Sequence, residues 1–337
     1  MSRSSAFGGI DAETLARRAS SFGGQAAAYA RERPDYPDDA VLWALEPVSG
    51  RVPLRVLDLG AGTGKLTEVL LRHTSELAEG TETIADTGTA GTAGTVRGAG
   101  STRGTRGTGT AGAAGITGIA GIGGGAETAE TPEAVRSVQG TRARGTRSAV
   151  ITEVIAVEPD PAMLDQLRRR LPGAQALTGS AERIPLPDGS VDAILVGQAL
   201  HWFDLDRALP EMARVLTPGG VLAGIWNLDD DQIPWVRGLK KVARSTVSFT
   251  NWRSEEIPLR GPWFQRVEQA RFPHVQRRTA ETMAATIATH SHVLTLPNSE
   301  RAELLARVVD YLRSTPETAH GEFELPIITA VVRVPRE

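Results

Sequence analysis

Cysteine is absent from the 337 residues. Disulfides, thiolate metal sites and cysteine nucleophiles are therefore excluded. Long apolar runs are missing too. No stretch reaches the ~18 consecutive apolar residues that a membrane-spanning helix needs. The opening MSRSSAFGGIDAETLARR has no apolar core of signal-peptide length. A soluble, cytoplasmic chain with no membrane partner is expected. A strong charge of one sign is also lacking. The formal net charge is -3, so bulk charge offers little to nucleic acid or an anionic surface. The six histidines do not fall at metal-ligand spacing, and no metal is expected.

What is there concentrates in one stretch, RVLDLGAGTGKLT at 55–67. Val56, Leu57 and Leu59 surround Asp58 in a short apolar run, the pattern of a buried parallel strand. Gly60, Gly62 and Gly64 then alternate through a turn, and a helical pattern starts near Lys65. Glycines between strand and helix let a ligand approach the backbone, because no Cβ stands in the way. Three ligands compete for such a turn. A phosphate loop, GxxxxGK followed by Ser or Thr, would need glycine at Leu59 and a hydroxyl at Leu66, so it falls. A dinucleotide fingerprint, GxGxxG, fits Gly60 and Gly62 but meets Lys65 in place of its third glycine. The third is GxGxG with an acid, Asp58, two places before it. In this the stretch resembles motif I of the class I S-adenosylmethionine (SAM) dependent methyltransferases.

Around this turn the chain divides into parts. Residues 11–31 read as two helical pieces split at Phe22-Gly23-Gly24. The segment YARERPDYP at 29–37 follows, broken by Pro34 and Pro37. It is either a Pro-rich connector or a lid whose Tyr29 and Arg33 face a ligand. Asp38 or Asp39 can cap a helix over 40–46. A helix is expected over 65–77. From 78 to 148 the chain turns to Thr, Gly, Ala and Arg with almost no aromatics and no sustained period. Such a segment cannot bury enough apolar area to offset its ordering entropy, and disorder is expected there. Strands are expected at 150–157, 174–178, 191–196 and 221–226, with helices at 161–171 and 205–216 and a turn at 217–220. The tail reads as a helix at 235–245, a strand at 264–272, helices at 282–289 and 300–312, and a final strand at 323–334 that Pro326 could split. Steady alternation of strand and helix argues for an α/β fold. The expectation is a doubly wound, mostly parallel, seven-stranded Rossmann-like sheet with a C-terminal antiparallel hairpin. Residues 1–50 would form an N-terminal helical lid, and 51–77 with 149–337 the binding domain.

Ligands in a doubly wound sheet sit at the carboxyl ends of the strands. Glu158 closes the second expected strand and can accept both hydroxyls of a ribose. It reads otherwise as a charge complementing a helix N-terminus. Ser180-Ala181-Glu182 follows the third strand and can meet an adenine edge. VLDLGAGTGKLT, VIAVEPDPAML, GSAERIPLPDGSVDAILVGQALHWF and ALPEMARVLTPGGVLAGIW occur in that order. Together they resemble the class I methyltransferases of the broad type 11 group, which includes ubiquinone-biosynthesis and trans-aconitate methyltransferases. YARERPDYP and THSHVL resemble the trans-aconitate subgroup and its fungal relatives. The resemblance covers 55–227 apart from the insertion, which the family normally lacks.

The resemblance implies SAM as cofactor and assigns residues to it. Gly60, Ala61 and Gly62 would line the methionine part, with Asp58 acting through water or on the amino group. Glu158 would hold the ribose, and Pro159 and Met163 would pack on adenine. Ser180, Ala181 and Glu182 would meet the adenine edge. Gln198 would border methionine and acceptor. Tyr29 and Arg33 would close over the cofactor, with Arg33 or Lys65 meeting its carboxylate. Gln198 and His201 are the candidate catalytic groups. Tyr36, His201, Trp202, His290 and His292 are the candidate acceptor contacts. His201 acts as a general base or, packed on Trp202, shapes the pocket.

The implied function is methyl transfer to a small molecule, with oxygen favoured and a carboxylate among the options. Two other classes stay open: a SAM- or nucleotide-binding regulator without catalysis, and an NAD-dependent oxidoreductase, against which Lys65 argues. Nucleic acid is disfavoured as a partner. The chain lacks a basic aromatic face, and GQAL stands where an N/DPPY-type motif would follow the fourth strand. A monomer or weak homodimer is expected.

Overall fold

A computed structural model describes residues 30–74, 137–139, 150–245, 259 and 261–337. Of the two helical pieces expected over 11–31, residues 30 and 31 are described, as helix; the rest, with Tyr29, lie outside the described residues. So does the 78–148 insertion, apart from Ser137–Gln139.

The central strand is β1 (Arg55–Leu59), buried from Val56 to Leu59. The three-residue β2 (Ser137–Gln139) comes next in the chain. β3 (Glu153–Glu158) pairs with β1 in parallel, and β4 (Gln175–Thr178) pairs with β3. On the other flank of β1 lies β5 (Val191–Gly197), then β6 (Leu216–Asp229), again parallel. The last two strands, β7 (Glu268–Arg278) and β8 (Phe323–Pro335), form an antiparallel pair, and β8 docks antiparallel on β6. The order across the sheet is β2-β7-β8-β6-β5-β1-β3-β4. The seven strands expected are therefore joined by β2, which pairs in parallel with β7 at the edge. At these three residues the structure departs from the disorder expected over 78–148.

Side chains alternate across the strands, and the alternation sorts them into two cores. Leu57, Leu59, Ile155, Val157, Ile194 and Val196 face one way. They meet α4 (Leu205–Val215) through Ala208, Leu209 and Met212. Val56, Val154, Ala193 and Leu195 face the other way. There α1 (Asp38–Leu45) and α2 (Lys65–Arg72) cover them. The helix after β3 is α3 (Pro161–Arg170), with Pro161 at its first turn and Asp160 accepting from the amides of Ala162 and Met163. A third apolar cluster joins α5 (Pro234–Val242), α6 (Ala280–Ala288) and α8 (Asn298–Ser314) to Phe323, Leu325 and Ile327 of β8. The short α7 (Ser291–Leu294) links the last two of these helices. Among the described residues no helix is long and apolar enough to cross a membrane.

Three local expectations are corrected. Neither Asp38 nor Asp39 caps α1. Extended Pro37 holds the cap position, and both acids fall in the first turn, where their charge complements the helix dipole. The turn at 217–220 is absorbed into β6 as an irregularity. Val191 pairs with Leu216 and Ala193 with Val221, so the intervening residues bulge out around Gly219, whose φ is +67°. Pro326 does not split β8. The β6 ladder ends at Asp229 and Ile327, so only β7 flanks the proline.

Gly238 sets how closely α5 approaches α8. A Cβ there would lie 2.0 Å from the hydroxyl oxygen of Tyr311. That hydroxyl donates to the carbonyl of Trp235 at 2.8 Å. Gly238→Ala is expected to destabilise the protein by about 1–3 kcal/mol through overpacking, despite alanine's better helix propensity. Urea unfolding midpoints would measure it, and an unchanged or higher midpoint would mean that the two helices move apart freely.

Candidate functional site

The amides of Gly60 and Ala61, just past β1, both donate to the carbonyl of Val157, at 2.8 and 3.1 Å. This ties the glycine turn to the end of β3. The glycines serve different ends. A Cβ at Gly60 would lie 2.8 Å from Cβ of Ala199, and one at Gly64 2.7 Å from Cδ1 of Leu171, so both keep packing tight. Gly62 has φ +58°, and the nearest atom to a Cβ there is Sδ of Met163 at 3.7 Å. Its backbone is thus bent into the glycine region with space beside it. Arg170 braces the turn, donating to the carbonyl of Thr63 at 2.9 Å and pairing with Glu68 at 2.7 Å.

Two buried acids flank this turn. Glu158 accepts from the Gly62 amide at 2.8 Å through Oε2 and from the Asp160 amide at 2.9 Å through Oε1. Burial raises its pKa, and the two backbone bonds oppose the rise. Asp58 accepts from the Thr67 hydroxyl at 2.6 Å through Oδ2, while its buried Oδ1 has no partner. Burial pushes Asp58 up to about 7; the Thr67 bonds offset part of this, and the Glu158 charge adds to it. A buried carboxylate oxygen without a partner is costly to leave so and suits a cationic donor.

The third strand end makes contacts of its own. Ala181 is buried in the core, and the Glu182 carboxylate accepts from the Asp204 amide at 2.9 Å, at the start of α4. Ser180 and Arg183 close a small bridge. Pro159 is exposed, whereas Met163 is buried over the Gly62 turn.

Beyond β5, Gln198 has φ +57°, a left-handed conformation rare for a residue with a side chain. Its Nε2 donates to the carbonyl of Asn227 at 2.9 Å. Asn227 in turn donates to the carbonyl of Asp35 at 3.0 Å. Lys65, one of the two cations expected to meet a ligand carboxylate, pairs with Asp35 at 2.8 Å, which takes one of its three N–H donors. Buried Tyr36 lies against Gly197 at the end of β5. Residues 33–36 are thereby laid across the strand ends, which is where a lid belongs.

Arg33 is the point where distant parts converge. It donates to the carbonyl of Thr289 at 3.1 Å. Its charge, after burial, pushes His201 down to about 4. His290 is held well below its ordinary value by burial first, then by Arg33, His292 and Lys240. Both imidazoles are therefore neutral at physiological pH. His201 packs on Trp202 with ring centroids 4.5 Å apart. His290 and His292 are 5.8 Å apart, and Nε2 of His292 lies 3.0 Å from the carbonyl of Ala243. Sequence reasoning missed the acidic half of this neighbourhood. Asp229 at the end of β6 faces Lys240, Arg33 and Arg278, and Lys240 pairs with Asp231 at 3.3 Å. The run Asp229-Asp230-Asp231 at a strand end was the available signal.

The methyltransferase domain family matches residues 136–224. That match begins beyond β1, which the insertion separates from the other strands. An uncharacterized methyltransferase of Mycobacterium tuberculosis is 33% identical over 314 residues, covering 93% of this chain and 94% of its own. The chain belongs to the class I SAM-dependent methyltransferases. A malonyl-acyl-carrier-protein O-methyltransferase of Methylococcus capsulatus is 38% identical to this methyltransferase over 125 residues, 34% of this chain and 44% of that one. A solved structure from Anaeromyxobacter dehalogenans, named a type II methyltransferase, shares the fold with a TM-score of 0.51 at 20% identity, over 90% of this chain and 97% of that one. SAM is the cofactor of the methyltransferase, and the residues present fit it. The orphaned Oδ1 of Asp58 suits an ammonium, and the open backbone at Gly62 suits close approach.

Proposed function

We propose that this methyltransferase moves the methyl group of SAM to an oxygen of a small molecule that carries an anionic group, a carboxylate among the candidates. The observation that carries the reading is Arg33, whose charge acts on two neutral imidazoles, His201 and His290. An anion placed there meets the Arg33 guanidinium. The oxygen acceptor named for the Methylococcus capsulatus relative points the same way.

Gly60, Ala61 and Gly62 would lie under the methionine part of SAM, with Asp58 at its ammonium and Glu158 at the ribose. Pro159, Met163, Ser180 and Ala181 would border adenine. Glu182 would hold the loop through the oxygen that accepts from the Asp204 amide and meet the adenine edge with the other. The sulfonium supplies an already activated methyl group, so the protein's task is alignment and exclusion of water. Gln198, fixed by Asn227, would align the acceptor. Tyr36, Trp202 and His292 would wall the pocket. His201, pushed down to about 4, is a poor base at neutral pH and would shape that wall. Labelled SAM offered to a panel of small acids, phenols and amines tests the reading. Transfer to an oxygen acceptor is expected. SAM binding without transfer to any acceptor would favour the non-catalytic regulator instead.

Asp58 gives a pH test. Its folded pKa of about 7 lies above the ordinary 3.8, so the proton is held in the free protein. An ammonium against Oδ1 favours the ionised form and expels that proton. SAM affinity is therefore expected to rise with pH between about 5 and 7, by up to about tenfold per unit, and then to level off. Asp58→Asn should flatten the profile in calorimetric titrations. A wild-type profile already flat would remove Asp58 from the ammonium site.

A further inference from the structure

We propose that Asp229 takes the proton of the methyl acceptor, which makes the reacting group of that acceptor a hydroxyl. The inference rests on the methyl-transfer reading above and narrows its acceptor. Asp229 closes β6 opposite Ile327. It stands two residues past Asn227, whose carbonyl fixes Gln198. The residue is half-buried, and among the described residues its carboxylate makes no hydrogen bond and no ion pair. Lys240 spends its bond on Asp231 instead.

The charged groups facing Asp229 come from every side. They are Lys240 of α5, Arg33 of the segment before α1, Arg278 at the end of β7 and Asp231 in the loop after β6. Burial outweighs the three cations and raises the pKa. A half-buried acid that no hydrogen bond or ion pair holds among the described residues, with its pKa raised, is the usual mark of a group kept for chemistry. The surroundings also decide where a proton goes. Placing it on His201 would create a buried cation beside Arg33. Placing it on Asp229 removes a half-buried anion. A carboxylate acceptor would need no base and would bring a second negative charge against Asp229. A hydroxyl has a proton to give. The acceptor oxygen forms its bond to the methyl carbon as the carbon–sulfur bond breaks, with the electron pair left on sulfur. The hydroxyl proton passes to a carboxylate oxygen of Asp229.

The test uses the full chain, methyl-labelled SAM, and two matched panels: small hydroxy acids, aliphatic and phenolic, and the same acids without the hydroxyl. Label is expected in base-stable methyl ethers of the hydroxy acids. At saturating SAM, Asp229→Asn should lower kcat/KM about 100-fold or more, abolish the rise of rate with pH that ionisation of Asp229 imposes, and leave SAM affinity unchanged in calorimetry. Asp229→Glu should recover part of the rate. Without SAM, Asp229→Asn should melt no lower than wild type at pH 8, because it lacks the penalised charge. Label in base-labile methyl esters, formed equally by Asp229→Asn, would overturn the proposal. So would SAM binding with no transfer to any hydroxy acid, or a variant that loses SAM affinity along with rate. Failure of the wild type to bind SAM would instead overturn the methyl-transfer reading itself, and this inference with it.

Discussion

Glu158→Ala is expected to weaken SAM binding about 100-fold, or about 2.7 kcal/mol. The carboxylate has two duties in one place. It holds the amides of Gly62 and Asp160, so it sets the shape of the glycine turn and the start of α3. In the proposed complex it also accepts the ribose hydroxyls. Each hydrogen bond to a charged acceptor contributes about 1.5–3 kcal/mol. Their loss is not additive, because the turn relaxes once the carboxylate is gone. Glu158→Gln keeps one acceptor oxygen and turns an amide donor toward a backbone N–H. It should fall between the two, near tenfold. Calorimetry on the three proteins at one pH reads the series. A dissociation constant for Glu158→Ala within about twofold of wild type would mean the ribose lies elsewhere.

The second large effect is on stability. Arg333 of β8 pairs with Glu268 at 2.6 Å and Glu46 at 2.9 Å, donates to the carbonyl of Trp43, and lies 3.9 Å over the Trp43 ring. One guanidinium thus joins β8 to β7 and to the end of α1. Its side chain is 10% exposed, while the two acids are 46% and 49% exposed. The acids can rehydrate when the arginine is removed, so the ion pairs are the smaller loss. The larger losses are a desolvated cation–π contact, about 2 kcal/mol, and the bond to the Trp43 carbonyl, about 1 kcal/mol. Arg333→Met keeps the apolar stem and should cost about 3 kcal/mol, lowering Tm by about 6–12 °C. An unchanged Tm would show that α1 is held by its apolar face alone.

Local pattern made much of this fold legible before any coordinates. The glycine turn, the apolar runs of β1, β3 and β5, and the Pro161 start of α3 each rest on neighbours in sequence. What the sequence left open is set by distant partners. The amide that Glu182 accepts comes from Asp204 at the start of α4. The partner of Lys65 comes from residues 33–36, which cross the strand ends and deliver Asp35. Asp229 escaped notice because its setting is assembled from α5, β7 and the chain before α1. Arg33 was found by its family-like segment, but its reach to both His201 and His290 comes from tertiary packing.

The bridge between Thr74 and Ile151 has a consequence for the chain's history. It clasps the two ends of the connection from α2 to β3, at the opposite end of β3 from Val157, which binds the glycine turn. Closing a loop costs only about 0.6 kcal/mol more for each doubling of its length. Growing a connection of ordinary size to the present one is about three doublings, near 2 kcal/mol. The docked ends lie at the end of β3 remote from the glycine turn. Such a joint can gain or lose a long passenger by drift, with little for selection to see.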